Sequence, residues 1–527
     1  MLFTCFIDFR KAFDSIPRDK LFAKIQQAGI SGNFYEVLRS MYSNDISCGK
    51  IGDSISESFR CMVGVKQGCM LSPTLFNLFL SDLPDTLAKS SSAHILGNTK
   101  LNCLLYADDL VLFSETSSGL QDLLNRLSIY SEENSLKVNT SKTKVMIFNN
   151  IGKVMNNYQF LLNREQLENV KSYKYLGLVF SAVGNFNLAK EELKKTALKA
   201  LFKLRKDLGI HFRSDINLTL KLFDALIKPI LLYGSEVWGA DNKSCVDDRD
   251  PLESVHLKFC KMLLGTGKTA VNNACRGELG RYPLCINATY RNIKYWINLR
   301  SKEEALSKVV YTECVNNPHV SYWTHKTKEI IFKAGFGFMW LYQNETDPTL
   351  FLDIFSKRLN DMYFQKWHGE IFNDQRKNSN EMNKLRTYRT FKDKYELENY
   401  LVAIPNVKHR VALTKLRISN HQLQIEKGRH TRPYTKEKDR ICPTCKNDVE
   451  NEFHFLVQCQ TYKELRNSVI QNLQRNQITQ KRLFNLLINP PTQLAGIAAR
   501  YISECFKLRE TLIGEKREEK KKKENTM

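Results

Sequence analysis

Two adjacent aspartates inside an apolar run constrain this 527-residue chain more than any other feature. The run LNCLLYADDLVLFS, residues 101–114, is apolar on both sides of Asp108 and Asp109. It predicts two buried strands joined by a tight turn that displays both carboxylates. A third carboxylate, Asp8, closes the apolar and aromatic run LFTCFIDF, residues 2–9, which also predicts a buried strand. Carboxylates in such places need a compensating cation, because burying an unpaired charge is costly.

The placement of the two strands decides what these carboxylates do. If the strands are neighbours, the three aspartates converge and can hold two Mg²⁺ ions about 3.5–4 Å apart, an arrangement that serves phosphoryl transfer. The alternative is that Asp108 and Asp109 form an exposed hairpin turn, where aspartate is common. The two residues alone do not separate these interpretations.

Composition and charge narrow the class of protein. With 42% hydrophobic and 26% charged residues, the chain is neither disordered nor collagen-like, and its length predicts about three domains. The net charge is +23, of which residues 1–200 carry only +4, so the basic excess lies downstream and favours a polyanionic partner such as nucleic acid.

Cysteine usage and hydropathy bear on location. The 14 cysteines are mostly scattered singly, which is typical of a reduced protein inside the cell, in the nucleus or cytoplasm. No uninterrupted apolar run reaches the length of a membrane span, so no membrane contact is expected.

Five segments in order extend the pattern around the aspartates. They are FIDFRKAFDSI (6–16), GVKQGCMLSPTLFNLFL (64–80), YADDLVLF (106–113), SLKVNTSKTKVMIF (135–148) and YKYLGLVFS (173–181). Together they resemble the five successive palm motifs of the reverse transcriptases of non-LTR (LINE-like) retrotransposons. One such match is weak evidence, but five in register argue against chance.

The resemblance implies a metal site and a proton donor. Asp8, Asp108 and Asp109 match the family's metal-binding aspartates, which hold two Mg²⁺ ions. Asp14 shares the first motif and is interpreted as structural. Lys142, or as second choice Lys144, matches a lysine able to protonate the pyrophosphate leaving group; a solvated lysine is the alternative for either.

The resemblance also implies a nucleotide and template site. Phe13 matches the bulky residue that lies under the sugar and excludes a 2′-hydroxyl, although an ordinary core phenylalanine fits the sequence too. Gln67 and Gly68 match the second motif, which borders the incoming nucleotide and the template. Tyr106, at the start of the third motif, is assigned to the same site.

The expected fold class is α+β, a right-hand polymerase palm with an antiparallel sheet and packed helices, followed by mainly helical regions. The expected domains are a palm at 1–184, a helical thumb at 185–310, an unassigned mostly helical region at 311–407, a basic segment with a zinc module and helices at 408–510, and a disordered charged tail at 511–527. The fingers that precede the first motif in the family, and the endonuclease of many relatives, are expected to be missing.

A second candidate metal centre lies far downstream. Cys442, Cys445, His454 and Cys459 have a spacing that suits one structural Zn²⁺ in tetrahedral coordination. The alternative is a pair of reduced cysteines beside an unrelated histidine. Residues 408–440 hold ten Lys/Arg against three Asp/Glu, which favours phosphate contacts with RNA or DNA.

One motif is rejected. The segment 265–269, GTGKT, is similar to a phosphate-binding loop, but the position of the required first glycine is Met262, and no apolar strand precedes it.

The sequence therefore predicts an RNA-directed DNA polymerase core that uses an RNA template, a DNA primer and deoxynucleoside triphosphates. The alternative is a nucleic-acid-binding remnant that binds without polymerising. Nothing in the sequence indicates the oligomeric state.

Overall fold

The computed structural model describes residues 1–90, 94–96, 99–149, 151–155, 157–241, 249–301, 305–317, 321–342, 347–372, 384–472 and 478–524. The chain divides into two compact units, one of residues 1–192 with 303–318 and the other of residues 193–302 with 319–527. The domain bounds expected from the sequence remain predictions.

The strands are β1 (Leu2–Ile7), β2 (Ile46–Ser47), β3 (Lys50–Ile51), β4 (Ser54–Ile55), β5 (Phe59–Arg60), β6 (His94–Leu96), β7 (Thr99–Leu101), β8 (Cys103–Tyr106), β9 (Asp109–Ser114), β10 (Lys144–Phe148), β11 (Leu161–Leu162), β12 (Glu165–Gln166), β13 (Glu168–Asn169), β14 (Ser172–Tyr175) and β15 (Leu178–Ser181). The helices are α1 (Arg18–Gln27), α2 (Gly32–Ser43), α3 (Ser72–Phe79), α4 (Leu83–Ala88), α5 (Ser117–Glu133), α6 (Asn187–Leu208), α7 (His211–Ser214), α8 (Ile216–Leu222), α9 (Lys228–Leu231), α10 (Ser235–Trp238), α11 (Glu253–Leu264), α12 (Asn272–Leu279), α13 (Leu284–Ser301), α14 (Leu306–Asn316), α15 (Tyr322–Lys333), α16 (Gly337–Leu341), α17 (Pro348–Phe372), α18 (Asn399–Ala403), α19 (Val407–Arg417), α20 (Gln424–Lys427), α21 (Lys463–Asn472), α22 (Gln480–Ile488) and α23 (Ala495–Glu524).

A five-stranded sheet organises the first unit, with strand order β13-β10-β1-β9-β8. The strand β1 lies in the middle and pairs antiparallel with β9 on one side and β10 on the other. The pairing places Ile7 opposite Leu110, so the end of β1 lies beside the start of β9. Because β1 and β9 are neighbours, Asp8 can converge with Asp108 and Asp109, as the metal-site interpretation requires.

Alternation along β1 gives the sheet two apolar faces. Phe3, Cys5 and Ile7 point into the main core, which buried residues of α1, α3, α4 and α5 complete. Phe6 points to the other face and packs with aromatic residues of the β14–β15 hairpin. Because successive side chains of a strand point to opposite faces, one short run serves both layers. The alternation of strands and helices in the sequence predicts a sheet covered on one face. The structure corrects this expectation, because the β14–β15 hairpin packs on the second face.

Local sequence signals set several helix starts. Thr116 caps α5 by accepting a hydrogen bond from the Gly119 N–H at 3.1 Å. In the sequence, Ser72 followed by Pro73 predicts a helix start, with serine capping the free amides and proline in the first turn. The helix α3 does begin at Ser72, but the Ser72 hydroxyl donates to the Lys66 carbonyl at 2.6 Å and does not cap the helix.

The second unit is helical, including most of the region that the sequence left unassigned. The helix α17 buries six residues spaced by four along its length, namely Phe351, Phe355, Leu359, Tyr363, Trp367 and Ile371. A strict spacing of four drifts around a helix of 3.6 residues per turn, so the stripe has no clear amphipathic period in the sequence. The described residues contain no helix that is long and apolar enough to cross a membrane.

Two expectations for the charged regions change. The tail predicted to be disordered from residue 511 continues α23 as far as Glu524, because Lys, Glu and Arg are good helix formers.

In the basic segment 408–440, the side chains of Arg410, Arg417 and Arg440 are buried. Each guanidinium donates hydrogen bonds to acceptors within the protein. These three cations are therefore not part of the surface that was expected to contact nucleic acid.

Candidate active site and metal centre

The three predicted aspartates lie near one another at the ends of adjacent strands, where β1 ends and β9 begins. Asp8 follows β1, Asp109 begins β9, and Asp108 lies in the turn of the β8–β9 hairpin, where Tyr106 pairs with Asp109. The turn is tight because Ala107 adopts a left-handed conformation with φ of 52°. The backbone of Asp8 is held from the fourth motif: its N–H donates to Thr143 Oγ1 at 3.2 Å, and its carbonyl accepts from the Asn139 N–H at 2.7 Å.

Electrostatics show that the three carboxylates interact. Partial burial raises the pKa of Asp109, and the negative charges of Asp108 and Asp8 raise it further. Like charges disfavour each other's ionisation, so a cation placed among the carboxylates would be stabilised. The strand β8 at the sheet edge is less buried than predicted, with Tyr106 68% exposed.

The two candidate lysines occupy different environments. The Lys142 Nζ lies 3.8 Å from Asp8 Oδ2, and the side chain is 69% exposed. The Lys144 Nζ donates to Glu168 at 2.7 Å and to the Ser141 carbonyl at 2.6 Å. Lys144 is thus occupied by an ion pair away from Asp8, whereas Lys142 lies beside one of the three carboxylates.

The second motif joins the first through the backbone. The Val65 N–H donates to the Phe13 carbonyl, and the Gly64 N–H donates to the Ile16 carbonyl, both at 2.8 Å. The Phe13 ring stacks on Phe76, with centroids 4.5 Å apart and planes at 17°.

Gln67 and Gly68 of the second motif are exposed. Gln67 Nε2 donates to Asp14 Oδ1 at 2.9 Å, so Asp14 positions Gln67. Gly68 has φ of 82° and open space where a Cβ would be. Its backbone is therefore accessible to a ligand.

Two tyrosines near the site were not singled out from the sequence. Tyr173 stacks on Phe6 with centroids 4.4 Å apart, and the Tyr175 hydroxyl donates to the Asp109 carbonyl at 3.4 Å. Burial, together with the charge of Asp109, raises the pKa of Tyr175 to about 12, so it stays a neutral donor. The signal was present in YKYLG, because residues two apart on a strand share a face.

The four predicted zinc ligands come together in the second unit. The ligand atoms of Cys442, Cys445, His454 and Cys459 all lie within 4.8 Å of one another. Among the described residues, no other group of His, Cys, Asp and Glu side chains reaches this spacing, and the three palm aspartates are not as tightly grouped.

Local structure explains this convergence. The Cys442 N–H donates to the Asp448 carbonyl at 2.8 Å, and the Lys446 N–H donates to the Cys442 carbonyl at 3.0 Å. Lys446 has φ of 60°, which turns the chain directly after the second cysteine. His454 begins a short π-helical turn, and Cys459 follows it directly.

The donor atoms suit a metal. A hydrogen bond from the Cys442 thiol lowers the pKa of Cys459 to about 6, so the cluster favours a thiolate. His454 Nε2 lies 3.3 Å from Cys445 Sγ, inside the cluster. An imidazole nitrogen among three sulfur atoms, one of them a ready thiolate, fits a metal ligand set.

The fold and the site define a class first. A central antiparallel sheet, helices on one face and carboxylates at the junction of β1 with the β8–β9 hairpin are the palm of a nucleic-acid polymerase. Residues 3–180 match the family described as reverse transcriptase (RNA-dependent DNA polymerase).

Proteins of mobile elements are similar to this chain. The retrovirus-related Pol polyprotein from the type-2 retrotransposable element R2DM of Drosophila melanogaster is 32% identical over 191 residues, covering 34% of this chain and 18% of that protein. The RNA-directed DNA polymerase from the mobile element jockey of Drosophila funebris is 22% identical over 267 residues, covering 49% of this chain and 28% of that protein. A telomerase structure from Candida albicans aligns at 15% identity over 59% of this chain and 49% of that chain, with a TM-score of 0.27, too low for a comparison of folds.

Residues 3–180 therefore match a reverse transcriptase domain, and this part of the chain is similar to proteins of retrotransposable elements. The matches cover less than a third of each of the two retrotransposon proteins.

Proposed function

We propose that this chain is an RNA-directed DNA polymerase that extends a DNA primer on an RNA template. The observation that carries the proposal is the pairing of β1 with β9, which brings Asp8 to the hairpin that holds Asp108 and Asp109. The raised pKa of Asp109 supports it, because the charges of Asp108 and Asp8 add to the effect of burial and a nearby cation would relieve their mutual repulsion.

The residues have distinct roles in this proposal. Asp8, Asp108 and Asp109 hold two Mg²⁺ ions, which supply charge neutralisation at the transferred phosphoryl group. Lys142 donates a proton to the pyrophosphate leaving group, since its ammonium lies beside Asp8 and is otherwise exposed.

The remaining motif residues select and orient the nucleotide. Phe13, backed by Phe76, gives the sugar a rigid apolar floor that leaves no room for a 2′-hydroxyl. Gln67, held by Asp14, the open backbone of Gly68 and the exposed ring of Tyr106 border the nucleotide and template.

The downstream cluster holds one structural Zn²⁺ in this proposal, with three sulfur ligands and one nitrogen ligand. The buried ion pair of Arg509 with Glu450, at 2.6 Å, braces the segment between Cys442 and His454 against α23. The thirteen cysteines of the described residues are all free thiols, which supports a reducing location in the nucleus or cytoplasm.

The test is incorporation of labelled deoxynucleotides on an RNA template by the full chain. We expect Asp108→Ala to reduce incorporation by at least a thousandfold, because one of three metal ligands is lost. Asp53→Ala is the matched control, since Asp53 also lies in a hairpin turn, between β3 and β4. The control should keep the wild-type rate.

Equal signals from wild type and Asp108→Ala would refute the proposal. Salt-sensitive RNA binding with no incorporation by the wild-type chain would instead identify a nucleic-acid-binding remnant.

A further inference from the structure

A cavity of about 510 Å³ lies in the second unit, away from the zinc ligands and without an assigned role. One face of α19 and one face of α23 form two of its walls. The rejected GTGKT segment contributes Gly267 and Thr269 to a third side. The volume is in the range of small-ligand sites, which is roughly 300–1,000 Å³.

Four lysines line this cavity, Lys384, Lys408, Lys415 and Lys427. Lys408 and Lys415 are seven residues apart on α19, so they share a helix face. Lys408 and Lys427 are exposed, whereas Lys384 and Lys415 are partly buried, so positive charge extends from the surface inward. In the described part of the chain, no carboxylate lies within 4 Å of any of the four ammonium groups.

The other charged groups of the lining are compensated by different partners. Glu426 pairs with Arg386 at 2.6 Å, and Arg509 pairs with Glu450 at 2.6 Å. The exposed Glu510 lies at the edge. The excess charge of the cavity is therefore positive, and its lysines differ from the buried Arg410, Arg417 and Arg440 of the same basic segment, which donate to acceptors of the protein itself.

A hydroxyl also lines this cavity. Thr269 is exposed, and its Oγ1 accepts a hydrogen bond from Asn420 Nδ2 at 3.4 Å. A threonine hydroxyl can donate its own proton as well, and a phosphate oxygen can accept it. Beside these polar groups, Val411, Ala412 and Phe506 offer an apolar wall.

These observations together fit a nucleotide. Lysines and a hydroxyl recognise phosphate oxygens, and an aromatic ring beside aliphatic side chains receives an unstacked base. The cavity joins both kinds of surface within a volume that one nucleotide fills. The large positive charge downstream of residue 200 favours a polyanionic strand over a free nucleotide.

We propose that this cavity binds one unstacked nucleotide of a single nucleic-acid strand, with Lys408 and Lys415 on the phosphates and Phe506 beside the base. This binding site rests on the proposed function in one respect, namely that the polyanion is a nucleic acid. Binding in the cavity does not require polymerisation at Asp8, Asp108 and Asp109. The two proposals can therefore fail separately.

The test measures binding of a labelled 12-nucleotide single strand, as RNA and as DNA, to the full chain carrying Asp108→Ala. We expect Lys408→Gln with Lys415→Gln to weaken binding at least tenfold at 0.1 M salt. The plot of log K against log salt should become shallower by about 1.4, because each lost phosphate contact to a single strand reduces the steepness of the slope by about 0.7. Lys463→Gln with Lys481→Gln is the matched control, which removes two exposed helical lysines outside the cavity and should change affinity less than twofold.

A second variant separates a cavity from a charged surface. Ala412→Phe fills the cavity and leaves every lysine in place, so it should weaken binding without lowering the salt slope. Thermal unfolding of each variant, followed by circular dichroism, reports whether it is folded.

Three outcomes would overturn the proposal. An equal loss from both lysine pairs would show general electrostatic attraction. Unchanged binding by a folded Ala412→Phe chain would show that the cavity is not entered. Adenosine monophosphate binding as tightly as the 12-nucleotide strand would identify a small-nucleotide site in place of a strand site.

Discussion

Replacing Arg417 with methionine is expected to destabilise the second unit strongly while leaving nucleic-acid affinity nearly unchanged. In the sequence, Arg417 is one of ten cations in the segment predicted to contact phosphates. In the structure it is fully buried, with its guanidinium donating to Glu278 Oε2 at 3.0 Å and Oε1 at 3.1 Å and to Glu398 at 2.6 Å. It also lies against the rings of Phe391 and Tyr400.

The magnitude follows from what the substitution leaves behind. Glu278 is fully buried, and without Arg417 its charge keeps only neutral donors such as the Tyr400 hydroxyl. Breaking a buried pair by removing one partner costs about 3–5 kcal/mol. With a urea dependence of about 2 kcal/mol per molar, the midpoint of unfolding should fall by about 2 M.

The assay is urea unfolding followed by tryptophan fluorescence. All five tryptophans lie in the second unit, at positions 238, 296, 323, 340 and 367, so the signal reports on that unit. The matched comparison is Lys415→Gln, two residues earlier, which should keep the midpoint and weaken strand binding. A stable Arg417→Met chain that loses affinity as Lys415→Gln does would refute the reasoning.

Three further predictions follow from the same contacts. Burial raises the pKa of Glu452, but Arg386 and His421 outweigh burial and hold it well below the usual value, so the stability that Glu452 contributes should be present above about pH 4.5 and be lost as the pH falls below it. The difference between the urea midpoints of wild type and Glu452→Gln should therefore be largest at pH 7 and narrow steadily as the pH falls below about 4.5; a gap that widens in acid would contradict this. Metal analysis of the purified chain should find about one zinc per molecule, absent from Cys459→Ser and retained by a variant at the exposed Cys48; zinc retained by both variants would exclude the cluster as its site. Gly64→Ala should destabilise the junction of the first two motifs by about 2 kcal/mol or more, because its Cβ would lie 2.7 Å from the Asp14 carbonyl oxygen at φ of 81°, whereas Gly68→Ala, at φ of 82° in open space, should cost only about 1 kcal/mol. Hydrogen exchange of residues 9–17 compares the two alanine variants, and equal protection would count against the steric argument.

Short-range patterns predicted much of the first unit. The strand that ends before Asp8, the strand that begins at Asp109 and the helix that begins at Ser72 all lie where apolar runs and capping or turn residues indicated. The Cys and His spacing likewise predicted a cluster that the structure assembles. Such features depend on residues within about twenty positions of one another, so the local sequence contains most of the information.

Contacts between distant residues determine which basic side chains of the second unit are buried and which are accessible. The sequence determined a reverse transcriptase domain and a basic excess downstream, but it treated Arg417 and Lys415 as equivalent cations. Only the tertiary structure buries Arg417 against Glu278, 139 residues away, and turns Lys415 toward a cavity. The physical reason is that the energy of a charge depends on burial and on its partner, and both are set when distant segments pack together.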